Sequence, residues 1–271
     1  MTPRVAGLFI YPLKGARAVP LTMARLGPYG LKDDRTWMLT DERGRFLSQR
    51  THPSLACLQA LVTESGLSLS YPGSVAINIH AFVGGSECRV QVWDDVLVAW
   101  DAGDHVATWL YDALQIKARL VRVSPRSERY ADPSYVGDSA SAIAFSDGYP
   151  VLVCSSSSLS ELNRSLPEPV PMDRFRPNIV IEGLAPFFED HLSILAIGTI
   201  RIRLVKPCTR CQVPSIDQDT GVPASDPMPA LKRFRFDPRL RGVTFGMNGV
   251  LAGAPVGEVR IGAPVMGWSE D

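Results

Sequence analysis

A chain of 271 residues with 45% apolar side chains can bury a full core, as one large domain or two small ones. Lysine plus arginine balances aspartate plus glutamate at 28 each, which excludes a global field drawing the protein to nucleic acid or anionic lipid. Anion binding therefore has to come from local clusters of cations.

The opening apolar run from Val5 to Leu13 is short and stops at Lys14-Gly15, so residues 5–11 read as a strand and no secretory leader is expected. No run approaches the roughly 20 apolar residues that cross a bilayer, so the chain reads as a soluble protein with no membrane span. Apolar or alternating runs follow at 19–26, 36–40, 56–62, 67–71, 75–79, 89–92 and 96–100, most of them bounded by Gly, Pro, Asp or Ser. Asp41-Glu42-Arg43-Gly44 reads as a hairpin turn, Pro72-Gly73 and Gly84-Gly85 as links, and Trp93-Asp94-Asp95 as a tight turn.

The spacing predicts a helix over 102–114, where Val106, Trp109, Leu110, Ala113 and Leu114 fall at offsets 0, 3, 4, 7 and 8 on one apolar face. A strand at 118–123 follows. Residues 124–133 are polar, carry Pro125 and Pro133 and have no periodicity, so the chain divides into domains 1–123 and 124–271. In the second domain a helix is expected over 157–166, with Leu159, Leu162 and Leu166 on one face and Ser155 to Ser158 as N-caps. A short helix is expected at 229–233, with strands at 178–181, 200–205, 243–250, 257–261 and 264–266. Many short strands with Gly/Pro turns favour barrels or sandwiches over a doubly wound sheet, so the fold class is mainly β (α+β) with a few helices.

Several strand ends carry cations: Tyr11-Pro12-Leu13-Lys14-Gly15, Lys32-Asp33-Asp34-Arg35, Ser48-Gln49-Arg50 and Arg174-Phe175-Arg176-Pro177-Asn178. Arginine meets phosphate or carboxylate bidentately, and glycine lets backbone approach a ligand closely. The five cysteines are odd in number and scattered except for Cys208 and Cys211, which argues for reduced thiols in a cytoplasm.

Lys206-Pro207-Cys208-Thr209-Arg210-Cys211 admits four readings: a zinc ligand pair, a redox dithiol, two buried structural thiols, or one activated thiolate whose proton is displaced by cations or by a metal. A second Cys/His pair is missing for zinc, and Val213-Pro214 opposes the helix a thioredoxin-type dithiol needs. Asp217-Gln218-Asp219-Thr220-Gly221 reads as an acidic turn, with Asp219 and Thr220 bonding their own backbone and Gly221 at positive φ, beside Cys211. Dinucleotide and phosphate-loop glycine patterns are missing, as are a zinc-protease helix, a nucleophile elbow and a four-cysteine cluster spacing.

Taken in order, Tyr11–Gly15, Leu31–Arg35, Phe175-Arg176-Pro177-Asn178-Ile179-Val180-Ile181 and Cys208-Thr209-Arg210-Cys211 with Asp217–Gly221 resemble the MOSC family. The resemblance is nearest to the branch of the mitochondrial amidoxime-reducing component and its bacterial relatives. It implies a MOSC-type β-barrel with an associated N-terminal β-barrel-like domain. It also implies a molybdenum cofactor (Mo-molybdopterin), with Cys211 as the protein thiolate on the metal and the catalytic centre.

By the same resemblance, Lys14, Arg35, Arg176 and Asn178 hold the pterin and its phosphate, with Thr209 and Arg210 beside them. Gly15, Arg50, Arg174 and Ser155 belong to the same shell, and Cys208 is a neighbour that does not ligate the metal. Gly15 stands where the mitochondrial enzymes have serine, so that contact passes to the backbone. The chain stops near Trp268, short of the C-terminal ferredoxin domain of some bacterial relatives. The implied function is a cytoplasmic oxidoreductase that reduces small N-hydroxylated compounds (amidoximes, hydroxylamines, N-hydroxylated bases). Its electrons would come from an external ferredoxin, flavodoxin or cytochrome b5-like reductase system. The alternative is a sulfur-carrier or cofactor-handling protein with a Cys211 persulfide; a third reading is a binding module without chemistry.

Overall fold

The computed structural model describes residues 2–80, 86–137, 140–253 and 257–269, so the expected Gly84-Gly85 link lies outside the described residues. Its largest sheet has nine strands. Along it run Val265–Trp268, Ile194–Ile197, Ile200–Thr209, Gly242–Leu251, Val151–Ser155, Ile179–Glu182, Arg4–Ile10 and Val19–Leu21, with Phe236–Asp237 pairing onto Gly242–Leu251. Alternation drives the long members: in Ile200–Thr209 the side chains of Ile200, Ile202 and Leu204 are buried while those of Arg201 and Arg203 point outward. The sheet curls on itself. Val265 N donates to Pro3 O at 2.8 Å and Val5 N to Ala263 O at 3.0 Å, so opposite ends of the sheet meet around a core of Leu8, Ile10, Val153, Ile181, Leu195 and Ile202. Closure removes the exposed edges that an open sheet would leave.

The smaller sheets belong mainly to the first half of the chain. One runs Trp37–Thr40, Arg119–Val123, Asp95–Asp101, Ser86–Val92, and another Gln59–Thr63, Gly66–Ser70, Ile77–His80. Helix Asp104–Leu114 buries Val106, Leu110 and Leu114 against Leu39, Leu55, Leu69 and Leu120. The mainly β architecture of several sheets with a few helices is the expected one. The first strand leaves its half of the chain: Arg4–Ile10 lies antiparallel to Ile179–Glu182 and carries the barrel on to Val19–Leu21.

Several local expectations are corrected. The strand at 19–26 is two strands, Val19–Leu21 and Met23–Gly27, in different sheets. The strand at 56–62 begins as the 3-10 turn Pro53–Cys57 and becomes extended only at Gln59–Thr63. Ser155 occupies the N-cap position of helix Ser156–Asn163, but its hydroxyl meets Ser157 Oγ at 2.7 Å and makes no cap bond. Among strands longer than two residues, two had no sequence expectation, Val151–Ser155 and Ile194–Ile197. Every residue in both is buried, so neither shows the polar-apolar alternation that marks a half-exposed strand.

The barrel wall is tight where Gly242–Leu251 crosses Val151–Ser155. Gly246 sits at φ +77, and a Cβ there would lie 2.5 Å from Cys154 Sγ and 2.7 Å from Val153 O. Left-handed strain of about 1–2 kcal/mol adds to overpacking of about 1–3 kcal/mol. Gly246→Ala is therefore expected to destabilise the protein by about 2–5 kcal/mol, read as a lowered thermal midpoint; an unchanged midpoint would show that the wall can yield.

Candidate functional site

Strand ends from both halves of the chain open onto one cavity of about 890 Å³. Its wall includes nine of the eleven residues expected to form a site: Lys14, Gly15, Arg35, Arg50, Arg176, Asn178, Thr209, Arg210 and Cys211. Arg174 and Ser155 are not part of that wall. Arg174 is buried and donates to Pro214 O at 3.2 Å and to the Asp217 carboxylate at 2.9 Å, pinning the loop that follows Cys211. The Ser155 backbone N–H donates to Glu189 Oε1 at 3.2 Å, and that same carboxylate accepts from Ser158 Oγ at 2.8 Å. These two residues support the site from behind.

The 11–15 segment is built around Tyr11, whose ring is fully buried. The guanidiniums of Arg35 and Arg176 lie 4.1 and 4.2 Å from its centroid, an arrangement the ring's negative faces favour. Both arginines adopt left-handed backbone, φ 48 and 56, uncommon for non-glycine residues, and Arg176 does so as the cap of the 3-10 turn Met172–Phe175. The two guanidiniums differ in their partners. Arg35 is fully engaged: it donates to Asp34 Oδ2 at 2.5 Å, Asn178 Oδ1 at 3.0 Å and Arg176 O at 3.2 Å. Burial works against its charge, but Asp34 outweighs that and raises its pKa above the ordinary arginine value. Arg176 has Gln218 Oε1 at 3.3 Å and, among the described residues, no carboxylate within ion-pair distance. Burial lowers its pKa to about 10, which still leaves it charged at neutral pH. A half-buried cation without a counter-ion is a site for an anion.

Asn178 has little left to offer a ligand. Its side-chain oxygen accepts from Arg35 and from Leu152 N at 3.1 Å, and its amide donates to Phe9 O at 3.2 Å. It orients Arg35. Gly15 takes φ +81, and its carbonyl accepts from Gln49 Nε2 at 2.8 Å, which explains why glycine serves there. Gln49 and Gln218 exchange amide bonds at 3.0 Å, tying the 49 and 218 loops together beneath Arg176. Lys14 is buried and its ammonium donates to Phe145 O at 2.8 Å and to Asp147 at 2.6 Å. Burial lowers its pKa, and Asp147 opposes that shift.

The two neighbouring thiols are unlike. Cys208 Sγ accepts from Arg210 Nη1 at 3.0 Å, and Arg210 also donates to Phe175 O at 2.8 Å. Burial disfavours the Arg210 charge, yet Cys208, Cys154 and Cys211 around it raise its pKa. Cys211 is exposed, lines the cavity and has no hydrogen-bond partner among the described residues. The arginine next to it in sequence thus serves Cys208. Cys154 is fully buried with its thiol pushed up by burial, an inert apolar filler. Among the described residues, no three His, Cys, Asp or Glu side chains converge to hold a metal.

In the turn at 217–221 the organising group is Asp217, not Asp219 or Thr220. Its Oδ1 accepts from Asp219 N at 3.0 Å, Thr220 N at 2.9 Å and Thr220 Oγ1 at 3.0 Å. Gly221 does take positive φ, 67.

Part of the wall had no sequence expectation. The segment Ser146-Asp147-Gly148-Tyr149 lines the cavity, held by Arg129, which donates to the carbonyls of Ala144 at 3.1 Å, Ser146 and Asp147 at 3.1 Å. Asp-Gly followed by Pro150 just before an apolar run is the same strand-end chemistry that marked the other loops, and could have pointed to it. The hydroxyls of Ser146 and Tyr149 and the Arg210 Nε are buried without a hydrogen-bond partner among the described residues. At the rim, Trp93 donates to Asp147 at 3.3 Å and packs against Phe46, while the Arg50 guanidinium lies 4.5 Å from the Trp93 ring. Only tertiary contact joins these two.

Residues 2–117 match the MOSC N-terminal beta barrel domain and residues 140–266 match the MOSC domain. The chain is 31% identical over 278 residues to mitochondrial amidoxime-reducing component 1 of Homo sapiens, covering 96% of this chain and 82% of that protein. It is 30% identical over 283 residues to mitochondrial amidoxime reducing component 2 of Rattus norvegicus, with the same coverage of 96% and 82%. Against molybdenum cofactor sulfurase of Danio rerio the identity is 29% over 263 residues, 90% of this chain but 31% of that longer protein.

Proposed function

The chain belongs to the MOSC family, and from that premise we propose that it is a molybdenum-cofactor reductase of small N-hydroxylated compounds. One observation carries the reading: an unpartnered, exposed thiol at Cys211 and the uncompensated Arg176 guanidinium open into the same cavity. A cofactor that brings its own metal ligands and an anionic tail needs those two features, a soft sulfur donor and a cation. The cavity is of the size that holds a cofactor, and the free hydroxyls of Ser146 and Tyr149 and the Arg210 Nε supply polar groups for a ligand of this polarity.

In this reading Cys211 binds the metal, while Arg176, with Arg35 and Lys14 behind it, holds the anionic tail. Gly15 and Thr209 border the pterin, Asn178 and Gln218 fix the two guanidiniums, and Arg174 steadies the Cys211 loop. Arg50 stands at the rim over Trp93. When bound, the cofactor supplies a two-electron redox centre. Overall, two electrons and two protons break the N–O bond, giving the amine or amidine and water. The electrons come from an external carrier. We further propose that residues 1–123 and 124–271 act as two units, with Arg4–Ile10 reaching from the first into the barrel of the second.

The test is direct. Protein made in a host that synthesises the cofactor is expected to carry near-stoichiometric molybdenum and to reduce benzamidoxime with reduced methyl viologen. Protein without molybdenum sinks the reading. A second reading, a Cys211 persulfide relay, draws support from the similarity to a molybdenum cofactor sulfurase. Labile sulfane sulfur trapped on Cys211, with no benzamidoxime reduction, would favour it.

A further inference from the structure

Beside the cavity lies a basic, aromatic tongue that the site does not use. Residues 228–241 form helix Met228–Phe234, strand Phe236–Asp237 and a tight return. Ala230 and Leu231 fasten the helix inward, and Arg235 fastens the strand by its ion pair with Asp190 and a bond to Thr244 Oγ1 at 3.1 Å. The one carboxylate within the tongue, Asp237, is consumed by the return, accepting from Arg239 N at 2.7 Å and Leu240 N at 3.1 Å. That leaves Lys232, Arg233, Arg239 and Arg241 exposed, none within ion-pair distance of a carboxylate among the described residues. Between them Phe234 and Phe236 are 45% and 50% exposed.

We propose that this tongue is the docking face for an acidic electron-carrier protein, a proposal that rests on the reductase reading. Position is the first argument. Phe236–Asp237 pairs with Val243 and Gly242, Arg210 N donates to Val243 O at 2.7 Å, and Thr209 pairs with Thr244 on the same strand. The face therefore continues directly into the Thr209–Cys211 loop, which makes a short path for electrons. Charge is the second. The chain as a whole is neutral, so four exposed, unpaired cations on one short segment create a local field that steers an acidic partner on encounter. Composition is the third: exposed aromatics among arginines are what protein interfaces use as binding centres. A nucleic acid would want a longer stripe, since tight binders make roughly 6–10 phosphate contacts.

The experiment uses the cofactor-loaded protein and an acidic [2Fe–2S] ferredoxin as probe. Binding is measured by fluorescence anisotropy of labelled ferredoxin at low salt and at ~0.3 M salt, where screening collapses such fields. Turnover is measured in parallel with reduced ferredoxin and with reduced methyl viologen. The proposal expects salt-sensitive binding to wild type. In K232E/R233E/R239E/R241E it expects binding weakened at least about tenfold, a matching rise in KM for ferredoxin, and methyl viologen turnover within about twofold of wild type. The milder R239Q/R241Q, at two exposed positions, is read by the same criteria if the fourfold variant unfolds.

Wild type that fails to bind ferredoxin, variants that bind like wild type, or equal losses with both donors would overturn the docking face. So would tighter binding of anionic vesicles or single-stranded DNA than of ferredoxin. A wild type that binds ferredoxin through the tongue yet reduces nothing with methyl viologen would retire the reductase reading and leave the docking face standing.

Discussion

Cys211→Ser is expected to lose bound molybdenum and reductase turnover together, by more than about 100-fold, because residues merely supporting a metal ligand already cost about 10–100-fold when changed. Cys208→Ser is expected to stay within about tenfold of wild type on both measures. The two thiols lie three positions apart and both line the cavity, but they are held differently. Cys208 accepts from Arg210 at 3.0 Å, and a serine hydroxyl can accept in its place. Cys211 has no hydrogen-bond partner among the described residues to inherit its role and stands exposed in the cavity. Metal content by mass spectrometry, beside benzamidoxime turnover, separates the pair. Equal losses in the two variants would remove the asymmetry on which the site rests.

Arg176→Met should show opposite signs in two assays. In cofactor-free protein it removes a charge that burial disfavours and that no carboxylate compensates, so thermal stability should hold or rise by a few degrees. The sign follows from the linkage. A base whose folded pKa is pushed below its ordinary value destabilises the fold wherever it is protonated, which for a group at about 10 includes all neutral pH. In loaded protein the same change should weaken cofactor retention by about 10²–10³-fold, the effect of taking one partner from a buried charge pair. Arg176→Lys should fall between, since it keeps the charge and loses the fork geometry. Stability that drops while retention is unchanged would show Arg176 to be a packing residue and move the anion site elsewhere.

The local elements were legible where one face meets water. The 3.6-residue pattern of Val106, Leu110 and Leu114 and the alternation in Ile200–Thr209 mark helix and strand because solvent imposes polar residues on the other side. Val151–Ser155 and Ile194–Ile197 escaped because protein covers both faces, so nothing in their order distinguishes a buried strand from any short apolar run.

The site divided in a similar way. Residue chemistry pointed to the strand-end cations and the cysteine pair, the family resemblance turned them into a list of eleven site residues, and nine of the eleven line one cavity. A residue's type announces what it can bind, and turn chemistry places it at a strand end; both are local. What could not be read along the chain was which partner each group takes. Arg174 was nominated beside Arg176 and turned away to Asp217, Arg210 sits next to Cys211 and serves Cys208, and Asp217 rather than Asp219 organises its turn. Asp147 and Trp93, 54 residues apart, meet only because a hairpin tip reaches the barrel mouth. Sequence determined the inventory of strands, cations and thiols in this protein. Tertiary structure alone decided which charge is neutralised, which thiol is free and which cation is left waiting, because pairing energies depend on distance and burial that the order of residues does not contain.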